Sequence, residues 1–389
     1  MVAILLLAFN LRLAVSGVPP ILADLHLGTA GQSLLVTVPV LCFGLAALAG
    51  PWLRSRLGEE QLLLAAIAAL TAGLLVRACW PGLGLFPGTI IAALAVAIMN
   101  VVVPALVRGR FPGHAAALTS AYTVALSVGA GLAAGLTVPV LHATRTLHLA
   151  LGIWAIPAAL AGLVWTTQLA RRPSRRGGGR AAEESARGRG RLWSSPVAWA
   201  VTSFFGLQSL VYYACLSWLP SIYRARGDSA ASAGILLAVL ATIGIVGNLL
   251  GPALASRTRD QRLAVLAGLA VTAVGLLGVL LGPLDTALLW VSILGVGTGA
   301  TFSLALLLMV VRAANAGSAV RLSAMAQGTG YLIAATGPLL LGLVKAASGG
   351  WTVPLILILA ILALEIPTGW AAGQSRLVGA DSLPPEAAA

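Results

Sequence analysis

Acidic residues are scarce in this chain. Aspartate and glutamate number 11 in 389 residues, and charged residues of both signs make up 9%. A soluble domain is about a quarter charged, so a water-exposed globule is excluded. Histidine (4) and cysteine (3) are as thin, and none falls at metal-ligand or redox spacing. Cys42, Cys79 and Cys215 stand alone in apolar runs and read as buried packing residues. His114, His142 and His148 fall in or beside loops and His26 just past the first apolar run, so no metal site is expected. There is no glycine-rich phosphate loop, no nucleophile with a base and no pair of central carboxylates. These absences exclude an ATP-driven pump in the same chain and a membrane hydrolase, and no cofactor is expected.

What is abundant is apolar. Hydrophobic residues make up 59% and the mean hydropathy is +0.97. Runs of about 20 apolar residues, enough to cross ~30 Å of hydrocarbon, can be counted directly. Six come first, at 1–22, 32–53, 61–79, 87–107, 115–138 and 149–169; six follow, at 195–219, 231–254, 262–282, 286–311, 321–345 and 351–372. The expectation is an all-α membrane protein of twelve transmembrane helices in two six-helix lobes. The lobes would span 1–169 and 195–372, with a linker at 170–194 and a tail at 373–389. No cleavable signal is evident, because the first residues lack a basic n-region. The apolar run begins at Met1 itself, which leaves room for a short leader upstream.

The long polar run lies between the two blocks. From Arg171 to Arg191 it holds eight arginines against Glu183 and Glu184, with three consecutive glycines. It cannot bury enough apolar surface to offset its ordering entropy, so it reads as a disordered tether. A nucleic-acid tail is set aside, because a basic loop between spans is what the positive-inside rule predicts. Placing this linker in the cytoplasm puts 18 basic residues on that side and five on the other: Arg77, Arg145, Arg224, Arg226 and Lys345. Both termini are then expected in the cytoplasm.

An internal repeat links the blocks. Gly50-Pro51-Trp52-Leu53-Arg54-Ser55-Arg56 closes the second segment, and Gly251-Pro252-Ala253-Leu254-Ala255-Ser256-Arg257 closes the eighth, 201 residues on. Leu118-Thr119-Ser120-Ala121 and Leu322-Ser323-Ala324-Met325 open the fifth and eleventh, 204 apart. Two matches at nearly one offset point to a parallel repeat. That is a transporter architecture, with its substrate site at the midplane between halves.

Several stretches resemble the cyanate permease and 2-nitroimidazole transporter branch of the major facilitator superfamily. They are Asn10-Leu11-Arg12, the run Val38-Pro39-Val40-Leu41-Cys42-Phe43-Gly44, Arg110-Phe111-Pro112, Phe205-Gly206-Leu207-Gln208-Ser209 leading to Trp218-Leu219-Pro220, and Met325-Ala326-Gln327-Gly328-Thr329-Gly330-Tyr331. The resemblance runs over nearly the whole chain. It implies alternating access between two lobes, with cyanate-like or nitroimidazole-like substrates. Ser55-Arg56 stands where the superfamily carries an Asp-Arg pair, a departure from the pattern behind its gating salt bridge.

Candidate substrate residues follow from polarity inside apolar segments. Arg12 lies ~16 Å along its helix from Met1, near the bilayer centre, where a cation usually faces a cavity and a partner. No acid is apparent at that depth, so an anionic or strongly dipolar substrate is the expected counter-ion; the alternative is that Arg12 binds helix carbonyls and holds the fold. Gln208 with Tyr212, and Gln327 with Tyr331, are each spaced i, i+4 and share a helix face. They line a hydrated cavity or bond between packed helices. Asn100, Tyr122 and Tyr213 are further candidates. Trp218 reads as an interfacial anchor. Glycines at 131 and 135, and at 295, 297 and 299, read as close-contact surfaces between moving parts. Glu365 is the acid within a span and the candidate proton-coupling group; otherwise it is an end-of-helix acid reaching for water. The expected partners are a small-molecule substrate, the lipid bilayer and protons as coupling ion, with no nucleic acid, in a monomer. The competing function is a proton-coupled exporter of neutral drugs or metabolites.

Overall fold

The computed structural model describes residues 2–57, 59–110, 115–169, 192–257 and 260–378. The arginine-rich run at 170–191 and most of the tail lie outside the described residues. So do the side chains of Arg54, Ser55, Arg56, Arg108 and Arg110, which enter the charge count and the repeat.

The first half holds α1 (Val2–Ser16), α2 (Thr29–Leu57), α3 (Glu59–Cys79), α4 (Leu85–Arg110), α5 (Ala115–Thr144), α6 (Leu147–Gly152) and α7 (Ala155–Leu169). The second half holds α8 (Pro196–Ala225), α9 (Ala230–Ala255), α10 (Arg262–Leu281), α11 (Ala287–Val311), α12 (Ala316–Ser348) and α13 (Thr352–Ala372). Among the described residues, 11 stretches are long and apolar enough to cross a membrane, and Leu85–Asn100 of α4 supplies a shorter one. The fold is twelve spans in two six-helix lobes. With an even number of spans in each lobe, the described ends of the lobes, near Val2, Leu169, Pro196 and Ala372, share one face, called here the linker face; the other is the far face.

Local chemistry accounts for the ends and breaks. Ser195, Ser229 and Asn315 cap α8, α9 and α12 by accepting from the backbone N–H three residues on. The first apolar run is not one helix. Gly17 and the Pro19-Pro20 pair end α1, and the chain continues as a 3-10 turn from Pro19 to Leu25, closed by His26 at φ 51°. The sixth span breaks between α6 and α7, just ahead of Pro157, whose ring cannot continue a helix from the preceding turn. Several helices outrun their expected ends. The seventh run was expected to end at 219, yet α8 passes through Pro220 to Ala225.

The lobes meet through two crossed pairs, α2 with α12 and α5 with α9, and the 3-10 turn packs on α8 and α9 at the far face. Close approach is required at Gly342, where an added Cβ would sit 1.8 Å from the Ser33 Oγ. Gly131 faces Thr242 across the α5–α9 contact, at 2.7 Å from an added Cβ, so it belongs to the seam between lobes. Gly299 instead packs on the Gly244 carbonyl within its own lobe, where even a methyl would clash at 2.1 Å. Gly295 and Gly297 likewise face Leu240 and Thr272, so the α11 glycines serve packing inside a lobe.

Four readings change with burial. Arg312, expected in a loop, is 3% exposed and clamps the linker face of the second lobe. Its guanidinium donates to the carbonyls of Ala372 and Gly373, both at 2.9 Å, and to Gln261. Burial pulls it below its ordinary range, with the Asp260 charge opposing. Trp218 is 1% exposed, donates to the Pro338 carbonyl at 2.8 Å and packs at a tilt against Trp351, so it is a core tie between α8 and α12 and not an interfacial anchor. Cys79 is exposed, whereas Cys42 and Cys215 are buried. Arg77, counted with the loops of the far side, is 1% exposed inside the first lobe.

Candidate functional site

Arg12 comes from the middle of α1, flanked by Leu11 at 1% and Leu13 at 0% exposure, yet it keeps exposed surface of its own. A partly exposed cation between buried neighbours faces an internal space. Its Nη1 donates to the Tyr212 hydroxyl of α8 at 2.6 Å. The guanidinium also lies over the Tyr212 ring at 5.2 Å and the Tyr213 ring at 5.9 Å. Four of the chain's five tyrosines, Tyr122, Tyr212, Tyr213 and Tyr331, lie within electrostatic reach of it.

These contacts bridge the two lobes. Arg12 and Tyr212 are 200 residues apart, as are Asp24 and Arg224 at the far face, where the ion pair spans 3.5 Å. Both separations nearly equal the 201-residue repeat, so corresponding first helices of the two lobes meet across the central axis.

An aromatic cluster packs beside Arg12. Tyr331 sits edge-on to Phe205 at 5.2 Å and to Phe43 at 5.8 Å, and lies 6.2 Å from Tyr213. Tyr212 and Tyr213 meet edge to face at 5.2 Å. Phe43 and Phe205 entered the sequence reading only inside motifs; the adjacent Tyr212-Tyr213 pair was the signal that α8 carries a wide aromatic face. On the other side, the Tyr122 hydroxyl lies 3.5 Å from Asn100 Oδ1, both partly exposed. Gln327, one turn before Tyr331 on α12, is also partly exposed.

The remaining candidates separate from this group. Gln208 is 2% exposed; its Nε2 donates to the Phe205 carbonyl at 3.2 Å and to Ser209 Oγ at 2.7 Å, leaving Oε1 without a partner. It is turned onto its own helix, unlike Tyr212 one turn on. Glu365 is 1% exposed with neither carboxyl oxygen bonded, which overturns the picture of an end-of-helix acid reaching for water. It sits where α13 packs on α8, within electrostatic reach of Cys215, and is not among the groups acting on Arg12. Asn10, on another side of α1, is 1% exposed and donates to the carbonyls of Leu6 and Pro157. Among the described residues no group of three metal ligands forms.

Chemically, the centre offers a fixed cation, hydroxyl donors and flat aromatic faces. Tyrosine oxygens and π-faces soften an unpaired guanidinium, by ~0.5–2 kcal/mol per ring contact, but do not neutralise it. No carboxylate pairs with Arg12 among the described residues.

Known proteins resemble this chain in sequence and in fold. The chain is 36% identical over 380 residues to the 2-nitroimidazole transporter of Escherichia coli (strain K12), covering 96% of this chain and 95% of that protein. It is 28% identical over 356 residues to the cyanate transport protein of the same organism, covering 90% and 91%. In fold it is similar to the crystal structure of a bacterial homolog of the human lysosomal transporter Spinster in an inward-facing, unoccupied conformation. That likeness has a TM-score of 0.76 at 15% identity over 96% of this chain and 95% of the other. The family description matching residues 1–335 is the Major Facilitator Superfamily. With two six-helix lobes meeting around a central cation, this membrane transporter belongs to the Major Facilitator Superfamily.

Proposed function

We propose that the chain is a secondary transporter that moves a small anion, or a small planar compound with a strongly accepting end, by alternating access. The observation that carries the reading is Arg12: a central guanidinium, roofed by tyrosines of both lobes, with no acid paired to it among the described residues. A ligand bringing charge or strong acceptors gains most from such a group, because the interaction is weakly screened at low dielectric. Cyanate supplies the charge. A nitro group supplies two acceptors, and its heterocycle stacks on Tyr212, Tyr213 or Tyr331. Asn100, Tyr122 and Gln327 complete the polar lining.

In this reading the linker face is cytoplasmic, in the inner membrane, by the excess of arginine on that side. The lobes divide at the 170–194 linker, and a monomer suffices. A second reading, a proton-coupled exporter of neutral compounds, draws on Glu365, a buried carboxyl with both oxygens unbonded.

The test is affinity by calorimetry, with cyanate and 2-nitroimidazole as probes, on variants whose size-exclusion profile and melting curve match the parent. Arg12→Ala should abolish binding and Arg12→Lys restore part of it, since lysine keeps the charge but not the planar fork of donors. A native-like Arg12→Ala with parental affinity for both probes removes Arg12 from the site. Loss of cyanate binding with 2-nitroimidazole binding retained favours the neutral-compound reading.

A further inference from the structure

The first lobe contains a second buried arginine that the central site does not use. Arg77 lies two residues from the far-face end of α3 and is 1% exposed. Its Nη1 donates to the Ala14 carbonyl in the last turn of α1 at 3.0 Å, which suits a cation at a helix C-terminus. Nε and Nη2 have no partner. Thr89 on α4 is 4% exposed, and its hydroxyl is likewise unpartnered.

Arg77 and Thr89 line one small cavity of about 20 Å³. Its other walls include Pro39 of α2 and, from the opposite lobe, Tyr213, Leu216 and Ser217 of α8. No aspartate or glutamate lines it. The inventory is one-sided: two guanidinium nitrogens and a threonine hydroxyl with protons to give, and no anion to receive them. A buried charge left unpaired is costly, and buried donors left unmet add to that.

We infer that this cavity is a binding site for one small monatomic anion of the halide class, held by Arg77 and Thr89 and closed over by α8. Size limits the occupant. A void needs roughly 10–15 Å³ to hold a water, so about 20 Å³ admits one water or one ion little larger, and not a triatomic or tetrahedral anion. The site is therefore distinct from the central one in ligand as well as in place. Because Tyr213, Leu216 and Ser217 belong to the second lobe, an ion here binds only while α8 is docked at the far face. Ligand that binds one conformation better shifts the population toward it, so the ion favours far-face closure.

The test uses the full chain in detergent, with sodium chloride or bromide exchanged against sodium gluconate at constant ionic strength. The melting temperature should rise saturably with halide and not with gluconate. Thr89→Val, which keeps the volume and the Arg77 charge, should weaken the halide response about tenfold, as expected for one hydrogen bond to a charged partner. Arg77→Gln should abolish it. Arg12→Gln should leave it intact, which separates this site from the central one. A response equal in chloride and gluconate overturns the inference; so does one that survives Thr89→Val undiminished, which decides the matter if Arg77→Gln does not fold. A bromide soak should place an anomalous peak between Arg77 and Thr89, and a water without anomalous signal there also overturns it.

Discussion

Arg12 and Arg77 are both inside the first lobe; Arg12 donates to Tyr212 of α8, Arg77 shares a cavity with α8 residues, and among the described residues neither is paired with an acid. They differ in what surrounds the unspent charge. Arg12 keeps exposed surface and lies against the Tyr212 and Tyr213 rings, at the edge of a cluster of five aromatic side chains. Arg77 is 1% exposed and lines a cavity of about 20 Å³. The contrast teaches that a buried cation does not by itself specify a transported substrate. What specifies it is the shape of the space the cation faces and whether that space opens when the lobes move. A partly exposed cation beside aromatic faces suits cargo; a small pocket spanning both lobes suits a resident ion that reports on closure.

The largest effect should come from exchanging each arginine for methionine, which keeps the length of the stem. Arg12→Met should weaken cyanate binding about a hundredfold or more, the scale seen when one partner of a close charge pair is removed. Arg77→Met should leave cyanate affinity within about threefold of the parent. In gluconate, Arg77→Met should melt no lower than the parent, because a well-packed apolar side chain often replaces a buried charge without loss. Calorimetry and melting curves on both variants check this. Equal loss of cyanate affinity in the two would merge the sites and break the comparison.

Much of this was legible beforehand, and the limits have physical reasons. Twelve apolar runs fixed the span count, since hydrocarbon thickness leaves little choice of length. Arg12 stood out because an arginine at mid-span is costly and needs a partner or a cavity. Arg77 did not, because it lies two residues from a helix end, where an arginine usually reaches out to water; only the packing of α1, α3 and α4 seals it. Trp218 was misplaced for the same reason, since aromatic residues near a span end are normally interfacial. The i, i+4 spacing put Gln208 and Tyr212 on one face correctly, but spacing carries no rotamer, and Gln208 turns onto its own helix. Phe43 and Phe205 were unremarkable in the sequence because phenylalanine is ordinary inside a span. Their role depends on where α2 and α8 bring them.

A smaller effect sharpens the central half of the comparison. Tyr212→Phe removes the hydroxyl that holds Arg12 Nη1 at 2.6 Å while keeping the ring beneath it. If that bond aims the guanidinium at the site, cyanate affinity should fall about tenfold, with the melting curve unchanged within a degree or two. An affinity that rises would mean the hydroxyl competes with the substrate for Arg12 instead of orienting it. Calorimetry separates the two outcomes.

The smallest effect concerns what keeps the Arg77 pocket shut. Asp24 and Arg224 join the lobes at the far face with 3.5 Å between charged atoms, but their side chains are 37% and 31% exposed. An ion pair so open to water contributes ~0–1 kcal/mol and is screened by salt. Closure should therefore rest on packing: Ser33 against Gly342, and the 3-10 turn against α8 and α9. A single cysteine at Ser217, in a background free of other cysteines, gives the readout. Ser217 is 4% exposed and lines the small cavity, so a charged thiol reagent from the far side reaches it only when that face opens. Asp24→Asn should raise the labelling rate by no more than about fivefold at low salt, a factor matching 1 kcal/mol, and should leave it unchanged at high salt. A rise well beyond tenfold that persists in high salt would make the ion pair the principal latch. The far face would then be held by charge, and the packed seam around Arg77 would lose its claim to set when the pocket opens.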